Sequence, residues 1–280
     1  MKALAISYMH GTMPAGLKKF VKNNSIDLII SMGDHADGDE RRKLIFKNWG
    51  YFKKKDNYYK AFENLIGKNK CTVLHKRYAL SGKNLLEKLD SIGVPVLILD
   101  GNNDFTEKDR KDSGYNFPTL EKTVKCSKNL KLVDGEKFKI QGYTLVGIGG
   151  YRDVPRSDTK ASQKKKYDES NNFFRKKLGK LLKNLDQRKT ILIGHDQPRN
   201  TVFDKVNYPS SPNNGRSVGD PIIREFLGSF RPALYIGGHM HEHHGVSKLG
   251  ETTLAAAGHG REGQCLILEI PSLKIEKVVL

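Results

Sequence analysis

The sequence predicts an α/β fold, and three observations point to it. Short apolar runs such as Leu28-Ile29-Ile30 and Ile191-Leu192-Ile193 end in polar or glycine-led loops, as buried strands do. The opening runs strand, helix, strand, which implies a right-handed crossover and a parallel pair. Amphipathic stretches of helical period separate several of the later runs.

Taken in order, Ala3 to Ser7 reads as the first strand. Pro14 suits the first turn of a helix that Leu17, Phe20 and Val21 continue, and Asn23-Asn24 ends it. Leu28-Ile29-Ile30 is the second strand. Residues 39–92 read as mostly helical. Tyr58, Phe62, Leu65 and Ile66 make one apolar stripe, and Leu85, Leu86 and Leu89 another. Trp49, Tyr51 and Phe52 are either core or stacking faces for bases. Val94 to Leu99 is a third buried strand. Residues 105–135 give no clear signal. Phe138-Lys139-Ile140 and Tyr143 to Ile148 form an antiparallel pair about Gln141-Gly142. Phe174, Leu178, Leu181, Leu182 and Leu185 line one face of a long helix, and Ile191-Leu192-Ile193 follows as a strand. Residues 196–218 form a long polar loop, of the kind that often carries function. Asp220-Pro221 caps a helix through Leu227. Ala233-Leu234-Tyr235-Ile236 is a buried strand, and strands near 244–248, 252–257, 264–270 and 273–279 finish the chain.

The 280 residues include 37% hydrophobic side chains, enough for a real core, and no stretch approaches a membrane span. The opening run Met1-Lys2-Ala3-Leu4-Ala5-Ile6 reads as too short for the apolar region of a signal peptide, and the three cysteines, Cys71, Cys126 and Cys265, sit outside any C-x-x-C frame. These features predict a cytoplasmic protein with no cysteine-based metal site. The net charge of +18 is unevenly spread: residues 41–88 carry +11, residues 152–189 carry +8, and the remainder −1. Two basic helical segments on a near-neutral body would attract polyanions, nucleic acid or phosphorylated substrates; a merely solvated lysine surface is the plainer reading.

Polar residues that bind metals follow the strands. His10 follows the first, Asp34 the second and Asn102 the third; His195 follows a later one, and His239 with His241 the run at 233–236. Side chains at the C-terminal ends of strands in an α/β sheet converge on one edge. Imidazole, carboxylate and amide oxygen together suit first-row divalent ions such as Mn, Fe, Zn, Ni or Co.

The motifs Tyr8-Met9-His10, Gly33-Asp34-His35-Ala36-Asp37, Gly101-Asn102-Asn103-Asp104, Gly194-His195 and Gly238-His239-Met240-His241 occur in the order of one family's pattern. Each is common alone; together they are specific, and the chain resembles the calcineurin-like metallophosphoesterases. The resemblance implies a four-layer αββα sandwich of two mixed sheets flanked by helices. It implies a single domain over residues 1–280, with basic helical insertions at about 39–92 and 152–189. It further implies a hydrolase for phosphomonoesters or phosphodiesters, with one or two divalent metal ions and attack by a metal-bound hydroxide. Asp34 would bridge the ions; Asn102, His195 and His239 would complete one site, and His10 and His241 the other.

Two residues depart from the pattern. Tyr8 stands where the family has its first metal-binding aspartate. Either Tyr8 or Asp37 completes an altered first site, or the centre holds effectively one metal, or catalysis is lost and the chain is a binding or scaffold protein. Purple acid phosphatases in the same superfamily use a tyrosinate, but from the motif position of Asp37. Asn103 stands where many members place a histidine as general acid, and an amide cannot supply a proton. His35 is the replacement suggested by position, with His243, His244 and His259 as spares. Arg152, Arg199, Arg216 and His259 are candidates for binding a substrate phosphate. Oligomeric state is not legible.

Overall fold

The computed structural model describes residues 1–151, Thr159 and 161–280. Two six-stranded sheets face each other. The first has strand order β12-β11-β1-β2-β3-β4 and the second β5-β6-β7-β8-β10-β9. The strands of the first sheet are β1 (Lys2–Ile6), β2 (Leu28–Met32), β3 (Val96–Leu99), β4 (Leu130–Leu132), β11 (Gln264–Glu269) and β12 (Lys274–Val279). Those of the second are β5 (Lys137–Ile140), β6 (Tyr143–Ile148), β7 (Thr190–Gly194), β8 (Leu234–Gly237), β9 (His244–Leu249) and β10 (Thr252–Ala257).

Strands β1, β2, β3 and β4 run parallel, as do β6, β7, β8 and β10; the pairs β1–β11, β11–β12, β5–β6 and β9–β10 are antiparallel. Both sheets are therefore mixed. The parallel strands read as unbroken apolar runs because both of their faces are covered. Alternate residues such as Ala3, Ala5, Ile30 and Met32 of one sheet meet Leu145, Ile191, Ile193 and Ile236 of the other in the central core. The opposite faces bind helices. Leu4, Ile6, Ile29 and Ile98 pack under α1 (Leu17–Asn23), α5 (Lys68–Asp90) and α7 (Leu120–Lys125). Val146, Ile148, Leu192 and Tyr235 pack under α8 (Ala161–Leu182) and α9 (Pro221–Phe230). The order of layers is helix, sheet, sheet, helix.

Between β2 and β3 the chain makes four helices: α2 (Asp39–Lys47), α3 (Trp49–Phe52), α4 (Tyr58–Ile66) and α5. The expected stripe on α4 is rotated. Tyr59, Ala61 and Phe62 are buried, whereas Leu65 is exposed and Tyr58 lines a cleft. Phe52 is fully buried, which makes it core. The stretch 105–135, silent in sequence, holds α6 (Glu107–Ser113), α7 and β4. Thr106 and Asp109 close a capping box at the start of α6. Among the described residues no helix is long and apolar enough to cross a membrane.

Candidate metal centre

The parallel strands of both sheets deliver their following loops to one edge, where the motif residues meet. Four of them, Tyr8, His10, Asp34 and His239, have positive φ, between 44° and 62°. Such backbone costs a non-glycine residue roughly 1–2 kcal/mol. Its recurrence in four residues after three strands, β1, β2 and β8, marks a site where side-chain placement outweighs local comfort.

The glycines before the ligands have a steric reason. A Cβ on Gly33 would lie 2.6 Å from His195 Nδ1, and one on Gly101 would lie 2.5 Å from His195 Cε1 and 2.8 Å from Asp34 Oδ1. The loops after β2, β3 and β7 approach so closely that no side chain fits between them.

Asp34, His195 and His239 each bring one ligand atom within 4.8 Å of the others. His195 Nδ1 lies 2.8 Å from the Met32 carbonyl. A carbonyl only accepts, so Nδ1 carries the proton and donates, and Nε2 faces Asn102 and Asp34. That Nε2 stands 3.1 Å from Asn102 Oδ1 and 3.6 Å from Asp34 Oδ1. An imidazole nitrogen, an amide oxygen and a carboxylate are thus brought together, with the Asn102 backbone N–H 3.5 Å from Nε2 and the two Asn103 N–H groups on Asp34 Oδ1 as the donors among them. Asp34 Oδ2 and His239 Nδ1 are buried with no hydrogen-bond partner. The donor set, oxygen and imidazole nitrogen at this spacing, fits a divalent ion with bonds of about 2.0–2.2 Å.

Charge balance agrees with this geometry. Burial alone would raise the Asp34 carboxyl, yet His195, His10 and His239 hold it far below the usual carboxylate range. Burial opposes charge on His195, but Asp34 and Asp196 outweigh it and raise its pKa. Burial, with His195 beside it, pushes His239 down to about 3. A neutral imidazole is the form that binds metal.

Around His10 the arrangement differs. His10 Nε2 is 3.6 Å from Asp34 Oδ2, and Nδ1 is 3.4 Å from Asp39 Oδ1. His10, Asp37 and Asp39 form a second close group, but Asp39 is already held by Arg42 at 2.8 Å and by Arg261 at 2.8 Å. Asp37 is exposed, and its Oδ1 accepts the N–H of Asp39. The Tyr8 hydroxyl accepts a hydrogen bond from Arg42. The Tyr8 ring centroid lies 4.0 Å from that of His10 and 4.1 Å from that of His241, at tilts of 34° and 31°. Two rings cannot both stack over one face of a phenol, so Tyr8 sits between them. His259 meets the edge of the same ring at 4.8 Å.

Several sequence expectations need correction. His35 is fully buried and turned away from the cleft. Its Nε2 pairs with Ser31 Oγ at 2.8 Å and its Nδ1 with Asp104 Oδ1 at 2.9 Å, so it cannot reach a leaving group. Asn103 does line the cleft; its backbone N–H donates to Asp34 Oδ1 at 2.8 Å and its Nδ2 to the same oxygen at 3.3 Å. Arg199 and Arg216 are not in the cleft lining; Arg216 donates to Asn213. Arg152 lies outside the described residues. Of the spare histidines, His243 Nε2 lies 2.8 Å from the Lys205 carbonyl and His244 Nε2 lies 2.9 Å from that of Cys265.

The cleft has a volume of about 280 Å³, and its far wall comes from α2, α3, the start of α4 and the loop 206–218. Arg42, Phe46, Trp49, Tyr58 and Tyr208 are among the residues of this wall. Arg42 and Asp39 were missed in the sequence because they sit at the head of a basic helix. Nothing in their spacing shows that this helix folds back over Tyr8 and His10.

The profile of one family, described as metallophosphoesterase, calcineurin superfamily, matches residues 1–279. One solved chain superposes with a TM-score of 0.67 at 16% identity, covering 99% of this chain and 98% of that one. Phosphopantetheinyl hydrolase (PptH) from Mycobacterium tuberculosis superposes with a TM-score of 0.52 at 13% identity, covering 99% and 95%. A dimetal phosphatase from Danio rerio gives 0.51 at 8% identity, covering 100% and 98%. At these identities the likeness is one of fold. No curated protein matches the chain in sequence. The match over almost every residue settles membership: the chain belongs to the metallophosphoesterases of the calcineurin superfamily, hydrolases that act on phosphoester bonds.

Proposed function

We propose that this chain hydrolyses a small phosphoester with a divalent ion held by Asp34, Asn102, His195 and His239. One observation carries the reading: Asp34, His195 and His239 each bring a ligand atom within 4.8 Å of the others, and Asn102 Oδ1 lies 3.1 Å from His195 Nε2. When bound, the ion supplies Lewis acidity to a phosphoryl oxygen and lowers the pKa of water. Donors of this kind favour Mn, Fe, Zn, Ni or Co over hard ions that prefer all-oxygen cages.

The chain's own residues do the rest. Met32 fixes the tautomer of His195. Asn103 clamps one oxygen of the Asp34 carboxylate through two N–H groups, while the other, buried and without a hydrogen-bond partner, lies 3.6 Å from His10 Nε2. An amide gives no proton, so Asn103 suits a substrate whose leaving group departs unprotonated or is protonated by water. The wall of Phe46, Trp49, Tyr58 and Tyr208 favours a leaving group with an apolar or aromatic face, and the cleft volume of about 280 Å³ favours a small one.

The test uses protein stripped with chelator and reloaded with Mn, Ni, Co, Zn or Mg. Turnover of a nitrophenyl phosphomonoester or diester is expected to return with a first-row ion. In His195→Ala it should fall by more than the ~10–100-fold that loss of an outer-layer partner costs. No turnover with any ion, or an unaffected His195→Ala, would overturn the reading. Cleavage of oligonucleotides in preference to both small esters would transfer the substrate to the basic helical surface.

A further inference from the structure

We infer that Arg42 stands in for the family's first metal ion, so that the centre holds one divalent ion and binds the substrate phosphate partly through this guanidinium. The inference rests on the metal reading of Asp34, Asn102, His195 and His239 given above.

The residues present do not fit an ion at the first position. Two nitrogen ligands of one ion, at about 2.0–2.1 Å each, cannot be more than about 4.2 Å apart. His10 and His241 instead lie on opposite faces of the Tyr8 ring, their centroids 4.0 and 4.1 Å from it. The phenol fills the space between them. Among the described residues, His241 belongs to no close group of metal-binding side chains. On the His10 side only Asp37 and Asp39 join His10 and Asp34, and without those two the set falls short of the three protein ligands usual in a catalytic site. The carboxylates near His10 are otherwise engaged, Asp39 by Arg42 and Arg261, and Asp37 by the backbone of Asp39.

The same geometry puts a cation against the phenol that fills this position. One Nη of Arg42 donates to the Tyr8 hydroxyl and the other to Asp39 Oδ1. Asp39 is fixed in turn by Arg261, so the guanidinium is braced on both sides. It is 27% exposed and lines the cleft together with Asp34, Asn102 and His239. Each Nη carries a second N–H, and a guanidinium fork matches two phosphate oxygens. Tyr8 and Arg42 are thus two parts of one replacement: the ring closes the metal position, and its hydroxyl positions the guanidinium.

The decisive measurement is the ion count on the unaltered chain, equilibrated with Mn and freed of excess. One ion per chain with the six-line spectrum of isolated Mn is expected. Two ions with an exchange-coupled spectrum would overturn the inference while leaving the metal reading intact. No bound ion with any first-row metal would overturn both. Binding of inorganic phosphate to the one-ion protein supplies the second arm. Arg42→Ala should weaken it by about 10–100-fold, the range for a charge-assisted bond, with the ion count unchanged. Arg42→Lys, which keeps the charge and loses the fork, should fall between, and thermal melting of each protein reports whether α2 stays folded. Phosphate affinity unchanged in both substitutions would overturn the role of Arg42.

Discussion

Asp104 accepts the Nδ1–H of His35 at 2.9 Å in a site closed to solvent. The same carboxylate accepts the backbone N–H of Asp34 at 3.0 Å, of His35 at 2.9 Å and of Gly101 at 2.8 Å. One side chain therefore ties the loop after β2 to the loop after β3. Each loop carries a metal-binding candidate, Asp34 or Asn102.

Replacing Asp104 with alanine leaves three backbone donors and an imidazole without their acceptor. Buried donors orphaned in this way cost about 1–3 kcal/mol each, offset in part by relaxation and water entry. A net loss of about 3–5 kcal/mol is expected for Asp104→Ala, as for breaking a buried ionic network. Urea unfolding measures it. Metal affinity should fall as well, because Asp34 and Asn102 lose their fixed separation. Unfolding of Asp104→Ala at the wild-type midpoint would show that the loops are held by something else.

Gly101 offers a sharper probe, since its backbone conformation needs no special φ. The position is closed by space alone: a Cβ would lie 2.5 Å from His195 Cε1 and 2.7 Å from the backbone nitrogen of Asp34. Gly101→Ala must push the imidazole or the loop away. Such overpacking typically costs about 1–3 kcal/mol. The expected signature is selective: a modest fall in melting temperature and a large loss of metal affinity, both read on the same sample by calorimetry and metal titration. Native metal affinity in Gly101→Ala would mean that His195 is not a ligand.

The layers and the set of strand ends were legible because strands buried on both faces read as continuous apolar runs, and each is followed by its motif. The five motifs located Asp34, Asn102, His195 and His239 for the same reason. His35 was misread because adjacency to Asp34 says nothing about direction. With Asp34 at φ 62°, the chain turns and sends the next side chain into the protein toward Ser31 and Asp104. Arg42 was illegible for a different reason. It is one of 14 basic residues in the segment 41–88, and only the tertiary path of α2 brings it to Tyr8. Tyr8 was recognised as a departure, but its ring packing against two histidines depends on rotamers that a sequence pattern does not encode.

The helices that wall the cleft should respond to pH through His75. Burial pushes its pKa from 6.5 down to about 4, and the Arg41 charge adds to the effect. Its ring packs against Tyr59 and Phe62 with centroids 4.8 and 5.2 Å away, while the Arg41 guanidinium lies 4.1 Å from the Tyr78 ring centroid. Nδ1 donates to the Cys71 carbonyl at 2.9 Å, and Nε2 is buried without a partner, so a second proton has nothing to bond. The folded pKa lies below the unfolded one, so the unfolded chain binds the proton more readily and stability falls with pH. The contribution of His75 is full above about pH 6.5 and declines toward pH 4, by about 3 kcal/mol for a shift of about 2.5 units. Urea midpoints at pH 7 and pH 4.5 for the wild type and His75→Leu isolate this part from general acid destabilisation. Over that interval the wild type should lose about 2 kcal/mol more stability than His75→Leu loses. Equal losses in the two proteins would show that His75 is protonated without cost, and that the helical wall of the cleft is looser than its packing suggests.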